Sequence, residues 1–165
     1  MPKDVVDPPY PGSTATAREV LDLAKVYQAT ALTLFDASTG RGMEAARPAH
    51  LCALQAIELA LNAWRRHMGE PFGAIRSRGH DLSCPIPAAA LGLRHATTAH
   101  LVALTGRREY LRVRYDPTLS EGWSHRTRIT ATMNEVVSKV SLRFNPTCVA
   151  PTRTAAPPTA RRPTG

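Results

Sequence analysis

The stretch that most constrains the fold runs from position 47 to position 82, RPAHLCALQAIELALNAWRRHMGEPFGAIRSRGHDL. Its apolar residues recur at alternating steps of three and four, at Leu54, Ile57, Leu61, Trp64 and Met68. That spacing is typical of one face of an α-helix that packs against a core. Pro48 suits the first turn, where a missing backbone donor is not needed, and Gly69 suits a left-handed cap. The stretch therefore predicts one long helix from Arg47 to about His67.

Three other segments also have helical spacing. Thr16 and Glu19 have the spacing of a capping box, in which two side chains satisfy backbone donors at a helix start, and they predict a helix at about 16–36. A second helical segment spans 94–106, with Gly106 as its stop. A last helix is predicted over 126–143, with an apolar face made of Ile129, Met133, Val136, Val137 and Val140.

The region after the long helix leaves two interpretations open. Residues 69–80 form a polar loop, and Asp81 is a natural helix cap. Pro85 and Pro87 would disturb a helix that begins at Asp81. Either its first turn is short, or the helix starts near Pro87.

The segment over 110–115 is also ambiguous. Its basic and apolar side chains alternate with a period of two, which favours a short extended segment. The alternative is a helix end followed by an ordered loop. Residues 118–125 are predicted to be a loop, after the turn signal of Asp116 and Pro117.

Together these elements predict an all-α protein, an up-and-down bundle of four to five helices over residues 16–143. Residues 1–15 are rich in proline and are expected to form a flexible leader. Residues 144–165 consist mainly of Pro, Thr, Ala and Arg and have almost nothing to bury. A disordered basic tail is expected there.

Composition narrows the class of protein. The chain has no run of about 18 apolar residues that could cross a membrane, and its N-terminal segment lacks the features of a signal peptide. We therefore expect a cytoplasmic protein without membrane contact. Its three cysteines lack CxxC spacing, which argues against a disulfide framework or a cysteine zinc site. The common nucleotide and hydrolase motifs are absent from the sequence, and we expect neither a metal nor a cofactor.

The charge is strongly basic, with a formal net charge of +8 at pH 7. A basic balance permits contact with nucleic acid or another polyanion. The alternative is that arginine is simply common in this chain.

Three motifs resemble the HEPN family, the higher eukaryotes and prokaryotes nucleotide-binding domain. They are ALQAIELALNAW at residues 53–64, GHDL at residues 79–82, and the pair Arg114 and Tyr115. The resemblance covers about residues 16–142. It implies a helical bundle that is commonly dimeric and linked to nucleotides or RNA. Some members of the family are ribonucleases with an R-x4–6-H motif. Pro85 and Pro87, which follow GHDL, depart from the family pattern at the third helix.

Five residues form the predicted nucleotide- or RNA-binding site: Arg78, His80, Arg112, Arg114 and Tyr115. Guanidinium groups fork onto phosphates and stack on bases, and tyrosine offers a stacking face. The imidazole of a histidine is a common proton donor and phosphate ligand, and His80 could contact a phosphate or donate a proton in this way. In the basic segment over 107–115, arginines interleave with two tyrosines. The structural alternatives are that this basic segment is a solvated face with Tyr115 in the core, and that His80 packs on the bundle end. Glu58 is interpreted as a rim residue or a structural hydrogen-bonding group.

Arg94 and His100 are weak candidates for a catalytic pair, because they are the only match to R-x4–6-H. Because arginine is frequent in this chain and six histidines are present, about two matches are expected by chance, so one match is no evidence for a nuclease. Its place, before Arg114 and not in the last helix, also differs from the nuclease pattern.

Three functions are compatible with these features. The first is a non-catalytic binding or assembly protein, a homodimer through helix faces, that contacts nucleotide or RNA. The second is a metal-independent ribonuclease of toxin–antitoxin or defence type, in which Arg94 with His100, or His80 with Arg78, performs acid–base catalysis. The third is a structural partner of another protein.

Overall fold

The computed structural model describes residues 10–83, 85–117 and 124–144. These ranges contain seven α-helices and no strand, so the all-α prediction is confirmed. Three long helices form the core of the bundle: α1 (Ala17–Ala37), α2 (Arg47–His67) and α7 (Arg126–Phe144). Four shorter helices lie between α2 and α7: α3 (Phe72–Ser77), α4 (Pro85–Leu91), α5 (His95–Gly106) and α6 (Glu109–Tyr115).

Helix α1 starts at the predicted capping box. The Thr16 hydroxyl accepts from the Glu19 backbone N–H at 3.2 Å, and the Glu19 carboxylate accepts from the Thr16 backbone N–H at 2.7 Å. These two bonds satisfy donors that the first helical turn leaves without partners. The prediction of this helix start is confirmed.

Helix α2 is the centre of the bundle and has its most extensive contact with α1. Four of the five predicted stripe residues are buried, but Met68 is 64% exposed. The prediction was wrong at Met68 because the helix ends at His67 and Gly69, with φ +82°, turns the chain away. Five alanines of α2 are fully buried, which lets neighbouring helices approach closely: Ala49, Ala53, Ala56, Ala60 and Ala63.

The chain directions follow from contacts at the two ends of the bundle. Arg126, which begins α7, donates to Asp36 and Thr39 near the end of α1. Phe144, which ends α7, packs on His67 at the end of α2, with ring centroids 4.6 Å apart. Helix α7 therefore runs antiparallel to α1 and parallel to α2. All five apolar residues predicted to face the core from α7 are buried, as expected.

Three local predictions are corrected between α2 and α7. The predicted polar loop over 69–80 contains the short helix α3, whose Ile75 is buried. Asp81 does not cap a helix. Its carboxylate accepts from Ser83, residues 81–83 are not helical, and α4 begins at Pro85. Proline fits this first helical turn because it needs no backbone donor there.

The segment over 110–115 is neither an extended segment nor a loop, because it belongs to helix α6. The period of two was misleading in so short a helix. Only Glu109 and Val113, four residues apart, are buried on α6, which is the helical spacing. Tyr115 is 68% exposed, so the alternative that placed it in the core is wrong.

The two predicted terminal segments are only partly described. Residues 10–15, which were assigned to the flexible leader, are packed on the bundle. Tyr10 lies against Phe72, and Arg66 donates to the carbonyls of Gly12 and Ala15. In the predicted tail, Phe144 is the last residue of α7. The rest of both predictions, for residues 1–9 and 145–165, lies outside the described residues.

Within the described ranges, no helix combines the length and the apolar character that a membrane crossing requires.

Candidate functional site

A groove of about 310 Å³ lies where the chain after α3 meets the junction of α5 and α6. We call it the His80 groove. Its lining residues come from α2, from the α3–α4 connection and from both sides of the α5–α6 junction: Leu54, Arg78, His80, Asp81, Leu82, Leu104, Thr105, Arg108, Glu109, Tyr110 and Leu111. The groove therefore combines apolar side chains with cationic, acidic and aromatic ones.

His80 is held at the edge of this groove by two neighbours. Gly79 adopts φ +56°, a left-handed conformation that favours glycine, immediately before it. The His80 Nδ1 atom lies 2.9 Å from the Glu58 carboxylate of α2. The His80 ring stacks on the ring of Tyr110, with centroids 3.8 Å apart and planes at 28°. Glu58 thus makes the structural hydrogen bond that the sequence suggested.

The stack continues from Tyr110 along α6. Arg114 donates to the Tyr110 hydroxyl at 2.8 Å, and its guanidinium lies 5.3 Å from the Tyr110 ring centroid and 5.2 Å from that of Tyr115. Burial raises the pKa of Tyr110 above its usual value, so the hydroxyl stays protonated at neutral pH. His80, Tyr110, Arg114 and Tyr115 form a continuous row, which we call the α6 stack.

Arg108 and Arg78 add positive charge to the groove. Arg108 has φ +50° and is the only non-glycine residue with a left-handed backbone in the described part of the chain. This conformation turns the chain sharply between α5 and α6. Arg78 lines the groove and pairs with Glu70, with Nε and Oε1 2.9 Å apart.

The structure thus gathers three of the five predicted binding residues into one row and places a fourth beside it. His80, Arg114 and Tyr115 belong to the α6 stack, and Arg78 lines the groove. Arg112 is half-buried on α6 and is not among the lining residues. The site prediction omitted Tyr110 and Arg108, although both lay in the basic segment that suggested it.

A buried polar cluster lies beneath the start of α6, around Glu109. This side chain is 1% exposed, and its carboxylate accepts from the Ser124 backbone N–H and from the Ser124 hydroxyl, each at 3.0 Å. It also accepts from Arg107 at 3.0 Å and lies 3.3 Å from His50 Nε2. Burial alone would raise the pKa of Glu109, but the bonds from His50 and Ser124 outweigh it and lower the pKa.

His100, one of the weak catalytic candidates, belongs to the same cluster and is 6% exposed. Its Nε2 lies 2.7 Å from the Ser124 hydroxyl, and its Nδ1 lies 2.8 Å from the Thr132 hydroxyl. Burial, helped by the nearby charge of Arg128, lowers the pKa of His100 to about 4. The ring is therefore neutral at pH 7, and both of its nitrogens are engaged.

Arg94, the other weak candidate, lies at the opposite end of α5 from the groove. Its side chain pairs with Glu135 of α7 at 2.7 Å, and its backbone N–H donates to the same carboxylate. Arg94 and His100 therefore have separate partners on α7.

In the described ranges, no group of three or more His, Cys, Asp or Glu side chains is arranged to hold a metal ion. Comparisons with models of protein families, with curated proteins and with solved structures found no match to this chain. The HEPN resemblance therefore stays a prediction, and the function is inferred from the geometry of the site.

Proposed function

We propose that this chain is a small, cytoplasmic, HEPN-like helical protein that binds nucleotide or single-stranded RNA without catalysing a reaction. The observation that carries the proposal is the α6 stack beside the His80 groove. Unpaired bases stack on tyrosine, histidine and arginine, and this contact tolerates any base because each has a π-face.

The charges around the stack support a polyanionic ligand. Among the described residues, no carboxylate lies within ion-pair distance of Arg108 or Arg114, so both keep their full charge for a phosphate. The groove volume of about 310 Å³ is at the lower end for ligand sites. It fits one base or one nucleotide, with further bases on the exposed ring of Tyr115.

The test is the affinity of the full chain for a fluorescent mixed-sequence oligoribonucleotide, measured by anisotropy over a range of salt concentrations. Affinity should fall steeply with salt, because bound phosphates release counterions. Tyr115→Ala should cost about 1–3 kcal/mol if a base stacks there. A plot of the logarithm of affinity against the logarithm of salt concentration has a slope that counts the phosphate contacts, and Arg114→Gln should reduce this slope by about 1.

The matched control is Lys139→Gln, which also removes one positive charge. Lys139 lies on α7 and lines a different hollow, together with Arg94 and Glu135. RNA affinity that is independent of salt, or equal losses in Arg114→Gln and Lys139→Gln, would contradict the proposal. Absence of RNA binding would favour the third hypothesis, a structural partner of another protein.

One observation favours a second candidate, the metal-independent ribonuclease in its His80 form. A carboxylate that holds one imidazole nitrogen orients the ring for proton transfer, and Glu58 holds His80 in this way. Arg78 and Arg108 would stabilise phosphate charge in the same groove. Cleavage of labelled RNA in the presence of a chelator, lost in His80→Ala, would establish this function. Intact RNA with the wild-type protein would exclude it.

Homodimerisation is the assembly part of the proposal, and the outer face of α1 supports it. Leu23, Val26, Thr30 and Thr33 are exposed at steps of three and four, the spacing of a coiled-coil seam. The Thr30 and Thr33 hydroxyls donate to carbonyls one turn earlier, so the face offers mainly apolar groups. A second copy presents the same seam. Light scattering should give the mass of a dimer for the wild type and of a monomer for Val26→Glu.

A further inference from the structure

Arg65, in the last turn of α2, is a buried guanidinium with incomplete hydrogen bonding. It is 4% exposed, and its Nη1 donates to the Asn62 side-chain oxygen at 3.0 Å. Its Nε and Nη2 are buried without a partner. Arginine stays charged at any ordinary pH, and unpaired buried donors are costly. Native structures pair such groups, often with a water or an ion.

No protein carboxylate completes the pairing of Arg65. Asp81 is near enough to interact electrostatically with it, but one Asp81 oxygen already accepts from the backbone and the hydroxyl of Ser83. Across residues 10–83, 85–117 and 124–144, no carboxylate lies within ion-pair distance of Arg65. Its charge is therefore available to an added anion.

Asn62 connects Arg65 to a second cavity, which we call the Tyr10 hollow. This hollow has a volume of about 420 Å³ and lies across His80 from the His80 groove. It is lined by Tyr10, Asn62, Arg66, Phe72, Arg76 and His80, among others. Arg65 is not itself a lining residue, but Asn62 both lines the hollow and accepts from Arg65 Nη1.

Two arginines that line the hollow have only neutral partners among the described residues. Arg66 donates to the carbonyl of Gly12 at 2.8 Å, and the Arg76 guanidinium lies 3.7 Å from the centroid of the Tyr10 ring. By contrast, six other arginines pair with carboxylates: Arg18, Arg47, Arg78, Arg94, Arg107 and Arg126. Arg65, Arg66 and Arg76 thus have no acidic partner among the described residues.

We propose that the Tyr10 hollow is a phosphate site, in which Asn62 turns aside and Arg65 donates Nε–H and Nη2–H to phosphate oxygens. The planar fork of arginine matches phosphate with two parallel hydrogen bonds. Arg66 and Arg76 in the lining, together with Arg65 beside Asn62, supply three positive charges, and Glu58 is the one carboxylate among the described lining residues, which suits a dianion. The phosphate could belong to a small molecule or to a nucleic-acid strand that also reaches the His80 groove.

The test is thermal unfolding of the full chain with inorganic phosphate or pyrophosphate, compared with sodium chloride at equal ionic strength. A ligand that binds only the folded state raises Tm with its concentration. Arg65→Met should abolish the rise while the protein keeps or increases its basal Tm, because an unpaired buried charge is removed. Arg76→Gln, at an exposed position, should weaken the phosphate response about tenfold.

The matched control is Arg143→Gln, whose guanidinium donates to the Ala90 carbonyl and has no carboxylate within ion-pair distance in the described part of the chain. It should respond to phosphate like the wild type. The proposal is overturned if phosphate does not raise the wild-type Tm beyond the chloride control, or if Arg65→Met and Arg76→Gln respond like the wild type.

Two further arms distinguish the sources of the phosphate. If a strand supplies it, Arg76→Gln should also weaken oligoribonucleotide binding. If a small molecule supplies it, only the response to free phosphate should change. Because phosphate is tested alone, this inference does not rest on the proposed function. If the proposal that RNA binds at the α6 stack is wrong, a different measurement would show it, because Tyr115→Ala would leave RNA affinity unchanged.

Discussion

The three-helix core and the α5–α6 end of the molecule are stabilised in different ways. Where α1, α2 and α7 pack against one another, most of the buried side chains are apolar. At the α5–α6 end, a cluster of ionisable and hydroxyl side chains is buried: His50, His100, Glu109, Ser124 and Thr132. Hydrophobic burial is non-directional, so small changes of shape are absorbed. A buried hydrogen bond is directional, and loss of one partner leaves the other unsatisfied.

Glu109→Ala should give the largest effect on stability. It would leave the Ser124 backbone N–H and Arg107 without their buried acceptor, at a cost of about 3–5 kcal/mol in the free energy of unfolding. Urea denaturation measures this loss. The control is Glu44→Ala, which breaks an exposed pair with Arg47 and should cost less than about 1 kcal/mol. If both variants lost the same free energy of unfolding, the buried polar cluster would be no more important for stability than an exposed ion pair.

Acid should lower the free energy of unfolding through the titratable groups of the polar cluster at the α5–α6 end, because the apolar side chains of the core do not titrate. The pKa of His100 is about 4 in the folded protein and about 6.5 when unfolded, so between these values the unfolded chain binds more protons. Stability should therefore fall by about 2 kcal/mol between pH 7 and pH 5. Glu109, with a lowered pKa, adds a further loss at lower pH.

Urea denaturation at the two pH values measures this dependence, and His100→Gln is the matched variant. Glutamine can still bond to Ser124 but does not titrate, so the dependence should flatten. Identical slopes for wild type and variant would show that another group is responsible.

A matched pair of small substitutions should sharpen the contrast. Thr132→Val keeps the shape of the side chain but removes the hydroxyl that meets His100 Nδ1, and should cost about 1–3 kcal/mol. Ile57→Val removes one methyl group from the core and should cost about 1 kcal/mol. Both are measured by urea denaturation. A larger loss for Ile57→Val would reverse the comparison.

Tyr115→Ala should have the smallest effect on stability. The side chain is exposed on α6, so the free energy of unfolding should change by less than about 0.5 kcal/mol. The same variant is expected to lose RNA affinity, which would separate the function of the α6 stack from its structural role. A large loss of stability would instead show that Tyr115 supports the fold.

The same contrast explains what could be predicted from the sequence. Core positions such as Ile57 and Ile129 repeat at helical spacing, so one short window of sequence is enough to identify them. The prediction for the end of α2 was less exact, because Met68 continues the apolar pattern past the last helical residue.

The polar cluster could not be predicted in this way. His50, Glu109 and Thr132 come from three different helices, and no local pattern relates them. In the candidate site, the sequence identified His80, Arg114 and Tyr115 by residue type. It could not identify Tyr110 as the ring that joins them, because that role depends on how α6 packs beside the α3–α4 connection.

The contact of Phe144 with His67, together with the bonds of Arg66 to Gly12 and Ala15, has a practical consequence. Both ends of the described bundle leave it at the same pole, and the link between α1 and α2 lies at the other. A fusion partner joined directly before Tyr10 or directly after Phe144 would emerge near the Tyr10 hollow and crowd it. A circularly permuted chain that is opened between Ser38 and Met43 would keep α1, α2 and α7 whole. Its new termini would lie at the opposite pole, away from the Tyr10 hollow.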